Sequence, residues 1–136
     1  MAKLIYVDSG VLLAAARGHE PIAQPALDVL DDPDAQFASS VFVRLEILPK
    51  ALYYGQQEAA RFYETFFGAV AVWAEPTPEL IQAAYSIAVE FGLSALDALH
   101  VAAASAVSAA GLVTSERLTS PLLRSKLLPI RTIWAG

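Results

Sequence analysis

The chain has 136 residues, of which 56 % are hydrophobic and 17 % charged. These proportions exclude a disordered protein and predict a single domain over residues 1–136 with helices packed on a buried sheet. The absence of cysteine excludes disulfides, thiolate metal sites and cysteine nucleophiles. A net charge of −5 at pH 7 disfavours a nucleic-acid partner, unless clustered carboxylates hold metal ions that offset their charge.

No stretch of the sequence predicts a membrane span or a signal peptide. The uncharged stretch from His100 to Ser115 falls short of the roughly 18 apolar residues that a span needs. Asp8 interrupts the apolar region near the start of the chain, where a signal peptide would be uncharged. We therefore expect a soluble protein of the cytoplasm with no membrane partner.

The chain begins with an apolar run over residues 3–7 that is rich in β-branched and aromatic side chains and stops at Asp8. This run predicts a buried strand that presents Asp8 at its carboxyl end. Open α/β sheets bind ligands beyond the carboxyl ends of their strands, near the point where the strand order reverses, so Asp8 is a candidate site residue. The alternative is that Asp8 or Ser9 only caps the helix beginning near Val11.

Helices and short strands alternate along the rest of the chain. The pattern predicts helices over 11–16, 22–30, 41–48, 56–67, 78–91 and from the segment 94–97 to Ala110, strands over 36–38, 69–73, 112–114 and 129–134, and a brief helix near Pro121. Pro49 should kink or break the helix over 41–48, for which Ser39 and Ser40 offer caps. The alternation predicts an α/β sandwich of three layers, with a mostly parallel sheet of about five strands and helices on both faces.

Six aromatic side chains belong to one predicted helical hairpin. We expect them to close the hairpin's own core, and the alternative is an exposed groove for a partner helix or a twin subunit. They are Tyr53, Tyr54, Phe62, Tyr63, Phe66 and Phe67.

Glu46 lies on the helix over 41–48, about 200° around the axis from Arg44. If Arg44 reaches solvent, Glu46 is turned toward the core, where a carboxylate needs a partner. The alternative is a surface ion pair between Glu46 and Lys50, one helical turn away.

Two further acids lie close to the ends of predicted elements. Asp97 approximates a capping box with Ser94, and Glu116 suits the positive end of a helix capped by Ser115. If the first strand and the strand over 112–114 are neighbours, their ends lie about 5 Å apart and bring Asp8 close to Glu116. The crossover connections bring Glu46 and Asp97 to the edge of the sheet at which Asp8 and Glu116 lie.

Four short motifs, taken in order, resemble the acidic motifs of PIN domains and, in a chain of this size, those of VapC-type toxins. The motifs are Tyr6-Val-Asp8-Ser9, Val43-Arg-Leu-Glu46-Ile, Leu96-Asp97-Ala-Leu-His100-Val-Ala and Val113-Thr114-Ser-Glu116. The resemblance implies a PIN-like sandwich and a metal-dependent endoribonuclease that hydrolyses RNA, the toxin of a type II toxin–antitoxin pair. It also implies a small cognate antitoxin as partner, and often a homodimer.

The resemblance assigns catalysis and the binding of Mg²⁺ (or Mn²⁺) to the acids of these motifs. Asp8, Glu46 and Asp97 match the family's first three acids, whereas Glu116 stands where an aspartate is usual. Such cations prefer oxygen ligands and can activate water for phosphodiester hydrolysis. The longer side chain of Glu116 leaves its place in the metal site open.

Residues around the acids receive supporting roles from the same resemblance or none at all. Ser9 and Thr114 match small hydroxyl positions that support the site, and Arg117, beside Glu116, is the first candidate for RNA contact. No family role attaches to His100, which we expect to be packed or to face a partner.

Two other functions remain open at this stage. One is a PIN-like protein-interaction module that has lost catalysis, which the Glu116 departure and the few basic residues favour. The other is an unrelated α/β binding protein whose acids are helix caps. The absence of a glycine-rich phosphate loop disfavours this last class.

Overall fold

The structure is a computed structural model that describes residues 2–18 and 21–134. Its strands are β1 (Lys3–Val7), β2 (Ala35–Ser40), β3 (Val72–Ala74), β4 (Gly111–Thr114) and β5 (Ile130–Thr132). Its helices are α1 (Ser9–Arg17), α2 (Ala23–Leu30), α3 (Val41–Tyr53), α4 (Gln57–Ala69), α5 (Pro78–Phe91) and α6 (Ala95–Ala106), followed by a 3-10 helix (Pro121–Arg124).

The five strands form one parallel sheet in the order β3-β2-β1-β4-β5. The predicted α/β fold with a mostly parallel sheet is confirmed, as is the predicted pairing of β1 with β4, in which Val7 lies opposite Val113. Right-handed crossovers place α1 to α4 on one face of the sheet and α5 and α6 on the other. The strand order reverses between β1 and β4, and this places the switch point at Asp8.

The core lies on both sides of β1. Tyr6, Val7 and Val11 are fully buried around the first strand, as are Leu112 and Val113 on β4. Helix α6 packs against the sheet through buried alanines, whose small side chains allow close approach. These alanines are Ala98, Ala102, Ala103 and Ala104.

Of the predicted kink or break at Pro49, the break is wrong, because helix α3 continues through Pro49 to Tyr53. The carbonyl group that Pro49 leaves without its helical partner is that of Leu45. Leu45 is 64 % exposed, so this part of the helix faces solvent. A proline is tolerated better there than in a buried helix, since water can pair with a carbonyl that lacks its N–H partner.

Two expectations about helix ends also need correction. Ser40 occupies the N-cap position of α3 but makes no capping hydrogen bond, because its hydroxyl contacts Tyr6 instead. Helix α6 ends at Ala106 and not at Ala110, since Ser108 adopts a left-handed conformation with φ of 55°. In contrast, Gly18 and Gly92 end α1 and α5 in the left-handed conformation, which glycine adopts without strain.

The aromatic side chains of the hairpin divide into two groups. Tyr63, Phe66 and Phe67 are buried and belong to the core, as expected. Tyr53 and Tyr54, at the end of α3, are 82 % and 70 % exposed.

No single helix within residues 2–18 and 21–134 is long and apolar enough to cross a membrane. Helices α5 and α6 reach the required length and composition only as a pair, and their axes are bent by 118° relative to one another.

Candidate active site

Asp8 leaves the end of β1 and is only 7 % exposed. Its Oδ1 atom accepts a hydrogen bond from the Val11 N–H at 3.3 Å and so caps α1. Its Oδ2 atom accepts one from the Thr114 hydroxyl at 2.5 Å, across the β1–β4 pair. The sequence left two alternatives for Asp8, and the structure confirms the cap. The cap does not exclude a position in a site, which stays a prediction.

A cavity of about 180 Å³ opens at this edge of the sheet, beside the switch point. The structure brings all four sequence-predicted acids to its lining, together with Ser9. The lining residues are Asp8, Ser9, Gly10, Leu13, Glu46, Leu96, Asp97, His100, Ser115 and Glu116. The cavity is therefore an acidic cleft with two leucines in its wall.

Glu46 faces this cavity from α3, with one third of its side chain exposed (33 %). Its Oε1 atom accepts hydrogen bonds from the Ser9 hydroxyl at 2.5 Å and from His100 Nε2 at 2.8 Å. The inward orientation predicted from the helix spacing agrees with this arrangement, and the partners are Ser9 and His100, with Lys50 contributing only a nearby charge. Burial raises the pKa of Glu46, but the two hydrogen bonds together with the charges of His100 and Lys50 leave the pKa lowered.

Burial raises the pKa of Asp8 to about 6, against the opposing hydrogen bond from Thr114. The charge of Glu116 raises it further. The pKa of Glu116 is itself raised, first by burial and then by the charge of Asp97. Burial is the larger cause of both shifts, and the charge of a neighbouring carboxylate adds to it, as expected for acids that line one cavity.

Asp97 and Glu116 are placed by their backbone. The Asp97 N–H donates to the Ser94 hydroxyl at 3.3 Å, so Ser94 caps α6 and the Asp97 carboxylate is left for the cavity. The Glu116 N–H donates to the Thr114 hydroxyl at 3.0 Å. No helix begins at Ser115 in the described part of the chain, since the next one starts at Pro121, and a capping function for Glu116 is excluded.

Gly10 is a site residue that the sequence reasoning missed. A Cβ atom on Gly10 would lie 1.8 Å from the Ser115 Oγ atom and 2.9 Å from its Cβ atom. The first turn of α1 therefore packs directly on the loop after β4, and only glycine fits there. A glycine immediately after Asp-Ser, at a strand-to-helix junction, was the signal that could have indicated it.

Tyr6 and Ser40 were also missed. The Tyr6 hydroxyl lies 2.7 Å from the Ser40 Oγ atom and 2.9 Å from His100 Nδ1, and the side chains of Tyr6 and Ser40 are fully buried. His100 is packed, as expected, with 4 % exposure. No local pattern indicated that these three side chains would meet.

The segment after β5 holds the loop that carries Glu116. Trp134 Nε1 donates to the Ser115 carbonyl at 2.6 Å, and the Thr132 hydroxyl donates to the Glu116 carbonyl. The guanidinium carbon of Arg117 lies 3.7 Å from the centre of the Trp134 ring, a cation–π contact. Arg117 is thus an exposed cation held in a defined position next to Glu116.

The donor set fits a hard divalent cation, because four carboxylates surround one cavity and oxygen is the ligand that Mg²⁺ and Mn²⁺ prefer. Within residues 2–18 and 21–134, no three His, Asp or Glu side chains already stand in an arrangement that would enclose a metal ion. Some of the side chains must therefore move closer together to bind a cation, and the hydrogen-bonded carboxylates of Asp8 and Glu46 keep further lone pairs for it.

The sheet order, the switch point and the acidic cleft define an α/β protein whose site lies at the carboxyl edge of its central strands. Residues 5–117 match the PIN domain family model. The chain belongs to the PIN domain family.

Solved structures share this fold at low sequence identity. A VapBC2 structure from Rickettsia felis, bound to a DNA fragment from their promoter, is 15 % identical, with a TM-score of 0.71 and coverage of 97 % of this chain and 99 % of that chain. A toxin–antitoxin complex from Klebsiella pneumoniae is 17 % identical, with a TM-score of 0.74 and coverage of 96 % and 98 %. VapC20 of Mycobacterium tuberculosis, a sarcin-ricin loop cleaving toxin, is 18 % identical, with a TM-score of 0.63 and coverage of 79 % and 86 %. No curated protein matches the chain by sequence.

Proposed function

We propose that this protein is a metal-dependent endoribonuclease that hydrolyses RNA phosphodiester bonds as the toxin of a type II toxin–antitoxin pair. The observation that carries the proposal is the convergence of Asp8, Glu46, Asp97 and Glu116 on one cavity of a PIN-domain fold. The similarity to VapC20, described as a sarcin-ricin loop cleaving toxin, supports RNA as the substrate class.

In this proposal the four acids hold Mg²⁺ or Mn²⁺. When bound, such a cation activates water for attack on phosphorus and offsets charge on the phosphate. Thr114 orients Asp8 and Ser9 orients Glu46, each through one hydrogen bond. Leu13 and Leu96 line the cleft beside the carboxylates.

Arg117 is the proposed RNA contact. Its stacking on Trp134 fixes an exposed guanidinium beside the carboxylate cleft, and this reduces the side-chain entropy lost when a phosphate binds. The other basic residues near the site are few, in agreement with the net charge of −5. The cations in the cleft would offset the acids that otherwise repel a phosphate backbone.

The proposed partner is a small cognate antitoxin protein. The Rickettsia felis and Klebsiella pneumoniae structures are described as VapBC2 and as a toxin–antitoxin complex, which supports a partner of this class. The exposed Tyr53 and Tyr54 offer aromatic surface that a protein partner could cover. We further propose that the chain is a single cytoplasmic domain that forms a homodimer.

The test is the cleavage of labelled RNA containing single-stranded loops by the purified protein with Mn²⁺. We expect cleavage by the wild type, its loss in EDTA, and its loss in Asp8→Asn. Asp28→Asn, which changes an exposed acid on α2, is the matched control and should cleave as the wild type does. Equal cleavage by wild type and Asp8→Asn would indicate a contaminating nuclease and would refute the assignment.

Mn²⁺ should also raise the melting temperature of the wild type, because a ligand that binds the folded state stabilises it. Asp8→Asn and Asp97→Asn should weaken this effect. A wild type whose melting temperature does not respond to Mn²⁺ or Mg²⁺ would exclude the metal site.

The second candidate function is a PIN-like interaction module without catalysis. Glu116 in place of the usual aspartate favours it, as does the absence of a preformed cation cage among the described residues. This candidate predicts antitoxin binding without Mn²⁺ binding or RNA cleavage.

A further inference from the structure

A chain of buried hydrogen bonds connects the interior of the sheet to the acidic cavity. It runs from Ser40 at the end of β2 to Tyr6 on β1, then to His100 on α6, and ends at Glu46 on α3. The three contacts measure 2.7, 2.9 and 2.8 Å. The Ser40 end of this row of hydrogen bonds is enclosed in the core, and the Glu46 end reaches the cleft.

Packing alone does not require these side chains to be polar. Tyr6 and Ser40 are fully buried, and a buried polar network stabilises a fold little better than an apolar core of the same shape. A phenylalanine could fill the Tyr6 site and an aliphatic side chain the His100 site. Polar side chains at these positions are explained if their hydrogen bonds act on the Glu46 carboxylate, which lies where the row of hydrogen bonds reaches the cleft.

The chemistry of the groups determines the direction of the bonds. An ionised carboxylate only accepts, so the hydrogen between His100 and Glu46 belongs to Nε2 of His100. In a neutral ring Nδ1 then accepts from the Tyr6 hydroxyl, whose oxygen accepts from Ser40.

The hydrogen bonds distinguish the two oxygens of Glu46. Oε1 accepts from both His100 and Ser9, whereas Oε2 accepts no hydrogen bond from any residue in the described ranges. Fixing one oxygen holds the plane of the carboxylate and leaves the other for a ligand, as outer-shell hydrogen bonds do in metal sites.

We propose that Tyr6 and His100 are positioning residues, which hold the Glu46 carboxylate so that Oε2 is available to the cation in the cleft. This inference rests on the proposed function of Glu46 as a metal ligand. His100 acts on Glu46 directly, and Tyr6 acts through His100 by selecting the ring form that carries the hydrogen on Nε2.

The test measures the dissociation constant of Mn²⁺ by calorimetry, in the wild type and in Glu46→Gln. His100→Leu, which removes the donor, should weaken binding about 10- to 100-fold. His100→Gln, whose amide can replace the Nε2 donor, should restore most of the affinity. Tyr6→Phe removes one oxygen atom and should weaken binding less than His100→Leu, while Tyr63→Phe, a change at a buried tyrosine on α4, should have no effect.

The decisive measurement is the Mn²⁺ dissociation constant of the same variants in the Glu46→Gln background. If Tyr6 and His100 act through Glu46, their substitution should change Mn²⁺ affinity less than about twofold once Glu46 is replaced, because coupled residues are not additive. Equal losses in both backgrounds would show a general structural role and overturn the inference, as would failure of His100→Gln to recover affinity. Tyr6→Phe provides the same comparison if His100→Leu does not fold.

The outcomes separate this inference from the proposed function. If the wild type binds Mn²⁺, Asp8→Asn does not, and the Tyr6 and His100 variants bind as the wild type does, only the positioning inference fails. If the wild type does not bind Mn²⁺, the proposed metal site fails and the positioning inference fails with it.

Discussion

The two halves of the acidic cleft differ in how their carboxylates are held. Asp8 and Glu46 are oriented by side-chain hydrogen bonds from Thr114, Ser9 and His100. Among the residues described, no side chain donates to the carboxylates of Asp97 and Glu116, which are placed by backbone alone. One half is preorganised and the other can adjust, so the first half should determine stability and the second should respond mainly to the ligand.

Asp8→Asn should have the largest effect on stability. Burial raises the pKa of Asp8 from its ordinary 3.8 to about 6, so the folded state favours the protonated form. The stability this form contributes is complete below pH 4 and is lost as the pH rises through about 6. Between pH 4 and pH 7 the metal-free wild type should lose on the order of 3 kcal/mol from this group, and Asp8→Asn should not.

Urea unfolding in EDTA at pH 4 and pH 7 measures the difference between the two proteins. Other titrating groups contribute equally to the pH dependence of both proteins, so their contributions cancel when the two are compared. An identical pH dependence in wild type and Asp8→Asn would mean that Asp8 is not the buried, repelled carboxylate described above.

Gly10→Ala should disturb the contact between the two halves. The added methyl group meets Ser115 and must displace the loop that carries Glu116, at a cost of about 1–3 kcal/mol. Gly68→Ala is the matched control, because a Cβ atom at this helical position of α4 meets nothing within 4 Å, and it should stabilise by about 0.5–1 kcal/mol. Thermal unfolding distinguishes them, and a gain in stability for both would contradict the close approach.

Thr114→Val should destabilise the half of the cleft that contains Asp8. The substitution keeps the shape of the side chain but removes the hydroxyl that donates to Asp8 and accepts from the Glu116 N–H. We expect a loss of about 1–2 kcal/mol in the free energy of unfolding at pH 7. Thr65→Val, at an exposed threonine on α4, should change it by less than about 0.5 kcal/mol; similar losses for both would argue against the special position of Thr114.

Glu116→Gln should have the smallest effect on stability, because this carboxylate is exposed and no side chain within residues 2–18 and 21–134 donates to it. We expect a change of less than about 0.5 kcal/mol in melting experiments. Mn²⁺ affinity should nevertheless fall about tenfold, whereas the exposed control Glu64→Gln should leave it unchanged. A large loss of stability in Glu116→Gln would show that the two halves do not differ as described.

The sequence predicted those features of the site that depend on local spacing. The apolar run before Asp8 predicted a strand with an acid at its end, and the angle between Arg44 and Glu46 predicted that Glu46 faces inward. The expected closeness of Asp8 and Glu116 depended on the pairing of β1 with β4, which the structure has. For Glu46 the helical period of 3.6 residues determines the face on which the side chain lies.

The remaining features depend on partners distant in the sequence. A hydroxyl at the start of a helix predicts a cap, but Ser40 contacts Tyr6 because that side chain reaches it across the sheet. A proline predicts a helix end, but α3 continues through Pro49, and Leu45, whose carbonyl loses its helical partner, lies at an exposed position. The association of Tyr6 with His100, 94 positions apart, has no local signal.

The hydrogen bond between Asp8 and Thr114 joins residues that are 106 positions apart. Closing a loop of this length is slow relative to forming local helices. Its entropy cost is incurred before the long-range contacts can stabilise the chain. We therefore expect the carboxylates to come together only when β1 and β4 pair. A partly folded chain keeps its acids apart, and neither their repulsion nor their affinity for cations develops until the central strands have paired.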